Sequence, residues 1–237
     1  MTRTAEFDWT GRRVAVTGAT GFVGWHVAAQ LRARGADVLA LHRAGSNIGN
    51  LRRLGVQTVL AGLDDPAALT NACHGAEVLI HTAGAVDFGG DWAGIRAVNV
   101  HGTANAIAAA RAAGVRRLVH VSSIVAVGGG TRAMLLDETA EWNLSRYRVP
   151  YATTKREAET LALQAARDDL EVVVVNPGCV VGPEDFSESE FGRVCKRFWR
   201  GRLPLHFGGG NNFVDVRDVA DASWERRLKA APANVIF

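Results

Sequence analysis

The chain has 237 residues, is 48% hydrophobic and carries a formal net charge of +3 at pH 7. This composition excludes disordered and collagen-like chains, and it suits one large core with at most a small appendage. No apolar run approaches the roughly 20 residues of a membrane-spanning helix, and residues 1–10 lack a signal-peptide pattern, so a cytoplasmic protein is expected.

The cysteines and the basic residues predict no separate site. Cys73, Cys179 and Cys195 lie far apart, without the paired spacing of a zinc site or a disulfide framework. We therefore expect reduced thiols and no metal. The arginine pairs are scattered, whereas nucleic-acid binding usually needs a continuous basic face. Neither a nucleic acid nor a membrane is expected as a partner.

The first predicted strand, an apolar run ending at Val16, leads into Thr17-Gly18-Ala19-Thr20-Gly21-Phe22-Val23-Gly24. This pattern predicts a strand, a tight turn and the first turn of a helix. Gly18 would allow the turn, Gly21 the close approach of a pyrophosphate to backbone N–H groups, and Gly24 the packing of helix on strand. Many tight turns contain glycine and bind nothing, so the motif alone is not specific.

Helices and apolar strands alternate along the rest of the first 175 residues. The predicted helices cover residues 25–35, 47–54, 66–73, 91–113 and 150–169, and the strands cover 37–41, 56–60, 77–81, 117–121 and 171–175. Continuous apolar strands between helices are typical of a doubly wound, parallel α/β sheet of the Rossmann type. Residues 128–149 break the pattern and are expected to form a loop beside the carboxyl ends of the strands.

The alternation stops after residue 175, where prolines and glycines interrupt regular structure. A helix at 187–200 and short strands near Leu205 and Val214 predict a second, smaller lobe. We therefore divide the chain into a dinucleotide-binding domain, residues 1–175, and a partial substrate-binding lobe, residues 176–237, from which the chain returns to the first domain.

The end of the second strand indicates which dinucleotide is bound. About 20 residues after such glycines, a carboxylate would bind the ribose 2′-hydroxyl of NAD. Here the chain has Arg43, whose guanidinium suits a phosphate, with Ser46 as a second donor. NADP(H) is favoured and NAD(H) remains possible. The alternative is that Arg43 is only a solvated residue at a strand end.

Tyr151 and Lys155 lie four residues apart on one face of a predicted helix, so they can act at one centre. A nearby ammonium and a positive nicotinamide would lower the pKa of the Tyr151 phenol and make it an acid/base, while Lys155 can also bind the ribose hydroxyls. Ser122 and Ser123 follow a predicted strand, at the edge where ligands bind in open α/β sheets. Each feature alone is common, and their order behind the glycine turn makes the set specific.

Taken together, these residues resemble the extended short-chain dehydrogenase/reductase family, in particular its dihydroflavonol-reductase-like members and the NAD(P)-dependent epimerase/dehydratase group. The resemblance covers nearly the whole chain. The matching residues are Thr17 to Gly24, His81 to Gly84, Val98 to Val100 with Gly102-Thr103, Val121 to Ser123, Tyr151 to Lys155, Asn176 to Gly178, and Phe213 to Val219.

The resemblance implies a role for each matching site residue. Ser123 polarises the substrate carbonyl, Tyr151 is the acid/base, Lys155 anchors the ribose, and Asn99 supports a proton-relay water. Together with Arg43 and Ser46, which were assigned above from their position after the second strand, the residues expected to contact the cofactor are Gly18, Thr20, Gly21, Phe22, Val23, Gly24, Leu63, Thr82, Ala83, Gly84, Tyr151, Lys155, Pro177 and Gly178. His81 and His120 are interpreted as strand residues without such a role.

Two departures from the family pattern qualify these expectations. Gly62 stands where relatives commonly have an aspartate near the adenine, so backbone and apolar contacts are expected there. Relatives also continue well beyond the motif that ends at Val219, so the substrate lobe is expected to be incomplete and cofactor binding to be better preserved than turnover.

The sequence thus predicts an NADP(H)-dependent oxidoreductase that acts on a carbonyl or secondary alcohol. The alternatives are a nucleotide-sugar epimerase and a non-catalytic NADP(H)-binding protein. A homodimer through the helices at 91–113 and 150–169 is a further expectation.

Overall fold

The computed structural model describes residues 8–86, 91–130, 136–203, 210–225 and 234–236. Its strands are β1 (Arg13–Thr17), β2 (Asp37–His42), β3 (Gln57–Leu60), β4 (Val78–His81), β5 (Arg117–Val121), β6 (Glu171–Asn176), β7 (Cys179–Val181), β8 (Phe213–Asp215) and β9 (Asn234–Ile236). Seven form one parallel sheet in the order β3-β2-β1-β4-β5-β6-β9. The strand order reverses between β1 and β4, which is where open α/β sheets bind ligands.

The helices are α1 (Phe22–Ala33), α2 (Gly49–Leu54), α3 (Pro66–Cys73), α4 (Trp92–Arg96), α5 (Gly102–Ala112), α6 (Ile124–Val127), α7 (Pro150–Gln164), α8 (Glu190–Trp199) and α9 (Val216–Trp224). A π-helical turn, Ala97–His101, joins α4 to α5, and a 3₁₀ turn, Ser145–Tyr147, precedes α7.

The core lies on both faces of the large sheet because alternate strand residues point to opposite sides. Ala15 packs with residues of α3, α5 and α7 on one face, whereas Val14 and Val16 pack with residues of α1 and α9 on the other. The predicted doubly wound parallel sheet is therefore confirmed.

Several predicted boundaries differ from the structure. Helix α1 begins at Phe22, three residues earlier than predicted, because Gly21 is extended and serves as its N-cap. Helix α7 ends at Gln164, since Arg167 and Leu170 form a tight bridged turn before β6. The helix predicted for 91–113 contains the π-helical turn, and the four-residue α6 was not predicted. The strand predicted near Leu205 lies outside the described residues.

Beyond β6 the chain builds a small lobe and then returns to the large sheet. β7 and β8 pair in parallel, α8 lies between them in sequence, α9 packs against α1, and β9 pairs with β6. Gln30 on α1 donates to the Arg217 carbonyl at 3.0 Å and accepts from the Trp224 indole at 2.5 Å. In the described parts of the chain, no helix has the length and apolar character needed to cross a membrane.

Candidate active site

The turn between β1 and α1 requires glycine at two positions, Gly18 and Gly24, because neither has room for a side chain. Gly18 has φ +67°, and a Cβ there would lie 2.6 Å from the Ala83 nitrogen and 2.8 Å from Thr82 Oγ1. A Cβ on Gly24 would collide with the Gly18 carbonyl and lie 2.6 Å from Thr82 Oγ1. Both glycines are therefore needed for the turn after β1 to pack against the loop after β4.

The amino end of α1 fits the pyrophosphate of a dinucleotide. Its N-cap, Gly21, makes no side-chain capping hydrogen bond, and the first turn of α1 contains no acidic residue. The first backbone N–H groups of the helix are thus left without a side-chain acceptor, and the positive end of the helix dipole favours an anion. Thr20, Phe22 and Val23 are partly exposed along this turn.

Hydroxyl groups and one histidine fix the two loops to each other. Thr17 Oγ1 lies 2.7 Å from His81 Nδ1 and 3.4 Å from the Ala83 nitrogen, and Thr82 Oγ1 donates to the Thr17 carbonyl at 2.7 Å. His81 Nε2 lies 3.0 Å from Thr103 Oγ1 on α5. The loop expected to line the cofactor is therefore anchored to β1 and, through His81, to α5.

The hydrogen bonds determine the tautomer of His81. Thr103 donates its proton to the Asn99 carbonyl at 2.6 Å, so Thr103 Oγ1 must accept from His81 Nε2–H. Burial lowers the pKa of His81 to about 3, so the ring is neutral and its Nδ1 accepts from Thr17. This leaves the Thr17 oxygen free to accept from Ala83. Sequence reasoning missed this positioning role, since a histidine in an apolar strand carries no local signal for it.

His81 also stacks on His120, the neighbouring residue on β5. Their ring centroids are 5.4 Å apart, and burial, followed by the nearby His81 ring and the charge of Lys155, lowers the pKa of His120 well below its ordinary value. Among the described residues, neither ring nitrogen of His120 has a hydrogen-bond partner. Two neutral, buried histidines therefore lie side by side near the ends of β4 and β5.

Asn99 lies within the π-helical turn, and both the oxygen and the nitrogen of its side-chain amide form hydrogen bonds. Its Oδ1 accepts from the Ala85 nitrogen at 2.7 Å, while its Nδ2 donates to the Ala85 carbonyl at 3.0 Å and to Thr154 Oγ1 at 3.1 Å. A Cβ on Gly84 would lie 3.2 Å from Lys155 Nζ and 3.4 Å from Asn99 Oδ1. Asn99 thus holds the loop after β4 against α7. The proton-relay role implied for it stays a prediction.

The structure brings Ser123, Tyr151 and Lys155 together at the carboxyl end of β5. Ser123 is the N-cap of α6, and its side chain is hydrogen-bonded to that of Tyr151 near the start of α7. One turn further along α7, the buried Lys155 donates from Nζ to the Val121 carbonyl at 3.0 Å. The hydroxyls of Ser123 and Tyr151 can therefore bind one substrate oxygen together.

The titration of Tyr151 differs from the expectation. Burial raises the pKa of the phenol, and the hydrogen bond from Ser123 opposes this only in part. The Lys155 ammonium, which donates to the Val121 carbonyl, does not offset this burial. Burial in turn lowers the pKa of Lys155 to about 8. The phenol is consequently protonated and the amine mostly charged at neutral pH.

The remaining predicted contacts line the same edge of the sheet. Arg43 follows β2 and is exposed, and its guanidinium makes no hydrogen bond or ion pair among the described residues, while its carbonyl accepts from the Ser46 nitrogen at 3.3 Å. Leu63 is half-buried against Gly102, and the carboxylate of Asp64 lies over Gly62.

Pro177 and Gly178 connect β6 to β7 beside Ser123. The Pro177 carbonyl accepts from the Ile124 nitrogen of α6 at 3.0 Å. A Cβ on Gly178 would lie 2.5 Å from the Asn212 carbonyl oxygen, so only glycine allows the segment before β8 to approach this closely.

Comparisons with known proteins agree with this site and sheet. The sequence model of the NAD dependent epimerase/dehydratase family matches residues 14–232. A Synechocystis protein named putative dihydroflavonol 4-reductase is 35% identical over 215 residues, which cover 89% of this chain and 62% of that protein. This chain thus spans less than two thirds of the length of that relative.

Two solved structures show the same architecture. The crystal structure of gox2253 is 32% identical, with a TM-score of 0.86 over 95% of this chain and 69% of that one. MoeE5, solved in complex with UDP-glucose and NAD, is 27% identical, with a TM-score of 0.73 over 95% of this chain and 75% of that one. The predicted family resemblance is confirmed. On its sheet order, its glycine turn and this sequence match, the chain belongs to the NAD dependent epimerase/dehydratase family.

Proposed function

We infer that the chain is an NADP(H)-dependent oxidoreductase that interconverts a carbonyl and a secondary alcohol. The observation that carries this inference is the hydrogen-bonded Ser123–Tyr151 pair, one helical turn from the buried Lys155, at the sheet edge that also holds the open end of α1. The Synechocystis relative named as a reductase supports the direction of the reaction. The glycine turn, Arg43, Ser46 and the loop from Thr82 to Gly84 would hold the cofactor.

The roles of the side chains follow from their protonation. When bound, the nicotinamide supplies or accepts the hydride at the substrate carbon. Ser123 and Tyr151 bind the substrate oxygen, and Tyr151 donates its proton as that oxygen gains negative charge. The raised pKa of Tyr151 suits a proton donor. Lys155 stabilises the phenolate that remains, and Tyr151 regains a proton from solvent after the alcohol leaves.

A substrate panel tests the proposal. We expect the purified chain to oxidise NADPH with at least one aldehyde or ketone from a panel that also includes nucleotide sugars, with one equivalent of alcohol formed per NADPH consumed. The measurement is the loss of NADPH absorbance together with product identification. Absence of turnover across the panel, with NADPH bound, would instead favour a binding protein without catalysis.

The cofactor preference is tested at Arg43. Arg43→Ala is expected to weaken NADPH binding by about 10- to 100-fold, because a charge-assisted hydrogen bond to the 2′-phosphate is lost, and to leave NADH binding unchanged. Quenching of tryptophan fluorescence measures both affinities. The matched control is Arg52→Ala, an exposed arginine on the neighbouring helix α2, which should change neither. Equal losses for NADPH and NADH in Arg43→Ala would contradict the preference.

Epimerisation of a nucleotide sugar is a second candidate, which the likeness to MoeE5 with UDP-glucose and NAD favours. An epimerase would use Ser123, Tyr151 and Lys155 to oxidise and then reduce the same carbon, and it would keep its cofactor through the cycle. NAD retained through purification, together with turnover that consumes no added cofactor, would support this candidate over the reductase. The homodimer stays a prediction, and light scattering would test it.

A further inference from the structure

Glu159 is a buried carboxylate for which the proposed mechanism has no use. It lies on α7, four residues after Lys155 and therefore on the same face of the helix, and its side chain is 1% exposed. A buried acidic group is costly unless it is paired or hydrogen-bonded. Its partners therefore indicate what it does.

The first partner is the end of β6. Glu159 Oε2 accepts from Asn176 Nδ2 at 2.6 Å, and the same Nδ2 also lies 3.2 Å from the Ser123 carbonyl. Asn176 is fully buried, and it immediately precedes Pro177, which accepts from the first residue of α6. Through this one amide group, Glu159 connects α7 to the backbone of Ser123.

The second group that Glu159 affects is Lys155, on which it acts through space and not through an ion pair within 4.0 Å. Burial lowers the pKa of Lys155, and Glu159 is the charged group that opposes this effect. The other titratable groups around Lys155 are Tyr151 on α7, which is neutral, and the neutral rings of His81 and His120 on β4 and β5. The remaining cation near Glu159 is Arg156, 3.7 Å from Oε1, and its side chain is 38% exposed. Glu159 is thus the one buried anion that these contacts place near Lys155.

We propose that Glu159 is a positioning residue for this site: its buried carboxylate keeps Lys155 in the ammonium form and, through Asn176, holds Ser123 in register with Tyr151. The proposal rests on the proposed function, since it assigns Glu159 to the support of the same three residues. Glu159 itself is too deeply buried to contact substrate.

The test uses the lysine side chains directly. The chain contains only Lys155, Lys196 and Lys229, so NMR of ¹³C-labelled lysine gives three side-chain signals, and Lys155→Arg identifies the one that belongs to Lys155. Glu159→Gln keeps the shape and the acceptor oxygen but removes the charge. We expect it to lower the measured pKa of Lys155 by about one unit. Glu157→Gln is the matched control, because Glu157 lies on the same helix and pairs with Arg96 on α4. It should leave that pKa unchanged.

Turnover gives a second measurement. If the ammonium form is the active one, kcat of Glu159→Gln should be close to wild type at pH 6 and about fivefold lower at pH 8, where a pKa lowered by about one unit leaves far less ammonium. A merely structural role would lower kcat equally at both pH values. An unchanged Lys155 pKa in folded Glu159→Gln would overturn the proposal.

A double-variant cycle covers the case in which Glu159→Gln folds poorly. If the two charges compensate each other, Lys155→Met leaves Glu159 without its compensating charge, and Lys155→Met/Glu159→Gln should unfold at a higher temperature than Lys155→Met alone. If the losses of stability in the two single variants simply add in the double variant, Glu159 and Lys155 do not interact electrostatically. The NMR and unfolding experiments need no substrate, so a wild-type chain without turnover would refute the proposed function while these two measurements still decide the role of Glu159.

Discussion

Tyr151→Phe is expected to lower kcat/KM for carbonyl reduction by about 10²- to 10⁴-fold, the range for loss of a general acid. The phenyl ring keeps the packing of the Tyr151 side chain at the start of α7, while the proton and the hydrogen bond to Ser123 are lost. Affinity for NADPH should stay within about twofold, because the glycine turn and Arg43 are unchanged. Steady-state kinetics and fluorescence titration on the same preparation measure the two effects.

Tyr147→Phe is the matched control, because Tyr147 is the other of the two tyrosines in the chain and undergoes the same substitution. Tyr147 lies in the 3₁₀ turn before α7, is 52% exposed, and accepts a hydrogen bond from Arg146 at 2.9 Å. Its substitution should leave kcat/KM unchanged. If Tyr151→Phe retained wild-type turnover, Tyr151 would not be the acid. If neither the wild type nor the variant turned over, while both bound NADPH, the chain would be a non-catalytic binding protein.

Gly18→Ala is expected to have the largest effect on stability. An alanine at this position must keep φ at +67°, and its Cβ would lie 2.6 Å from the Ala83 nitrogen. That nitrogen belongs to the backbone, so it cannot move aside as the end of a flexible side chain could. Left-handed strain and overpacking together should lower the free energy of unfolding by about 2–5 kcal/mol. NADPH binding should fall as well, because the turn and the loop after β4 must separate. Urea unfolding and NADPH titration measure both.

Gly55→Ala separates the backbone strain of a positive φ angle from the steric clash of the new Cβ. Gly55 has φ +68°, almost the same as Gly18, but a Cβ there has no neighbour within 4 Å. This variant should lose only the strain energy, about 1 kcal/mol, and should bind NADPH like the wild type. Equal losses of stability in the two variants would mean that the contact with Ala83 contributes nothing.

Much of the fold could be predicted because its signals are local. Apolar runs such as Val172 to Val175 appear in the sequence, and alternation with helices implies a parallel sheet. The boundaries that were wrong depend on features without such a signal. Gly21 can equally well end a turn or start a helix. Helix α6 has four residues, too few to show the 3.6-residue spacing of apolar positions. The π-helical turn adds a residue per turn without changing the apolar pattern.

The site was predictable only as a set of residues. The spacing of Tyr151 and Lys155 shows that they share a helix face, but not that Lys155 donates to Val121, a residue 34 positions away. The raised pKa of Tyr151 and the positioning role of His81 likewise arise from burial and from partners distant in sequence. Glu159 was missed because its contact, Asn176, lies on a strand that the sequence does not link to that helix.

The docking of α9 on α1 ties the small lobe to the helix that follows the glycine turn. β7 is fixed at one end by the close contact of Gly178 with Asn212 and along its length by pairing with β8, which leads directly into α9. These strands are therefore linked to α1 through α9. α8 is exposed along most of its length, and its Phe191 ring lies 5.2 Å from that of Phe213 at the start of β8. The segment between β7 and α8 is also attached to α1, because the Phe186 ring lies 5.3 Å from that of Trp25 and Glu184 lies 3.6 Å from His26. The contacts of α1 thus extend across the small lobe, from α9 to the segment that leads into α8.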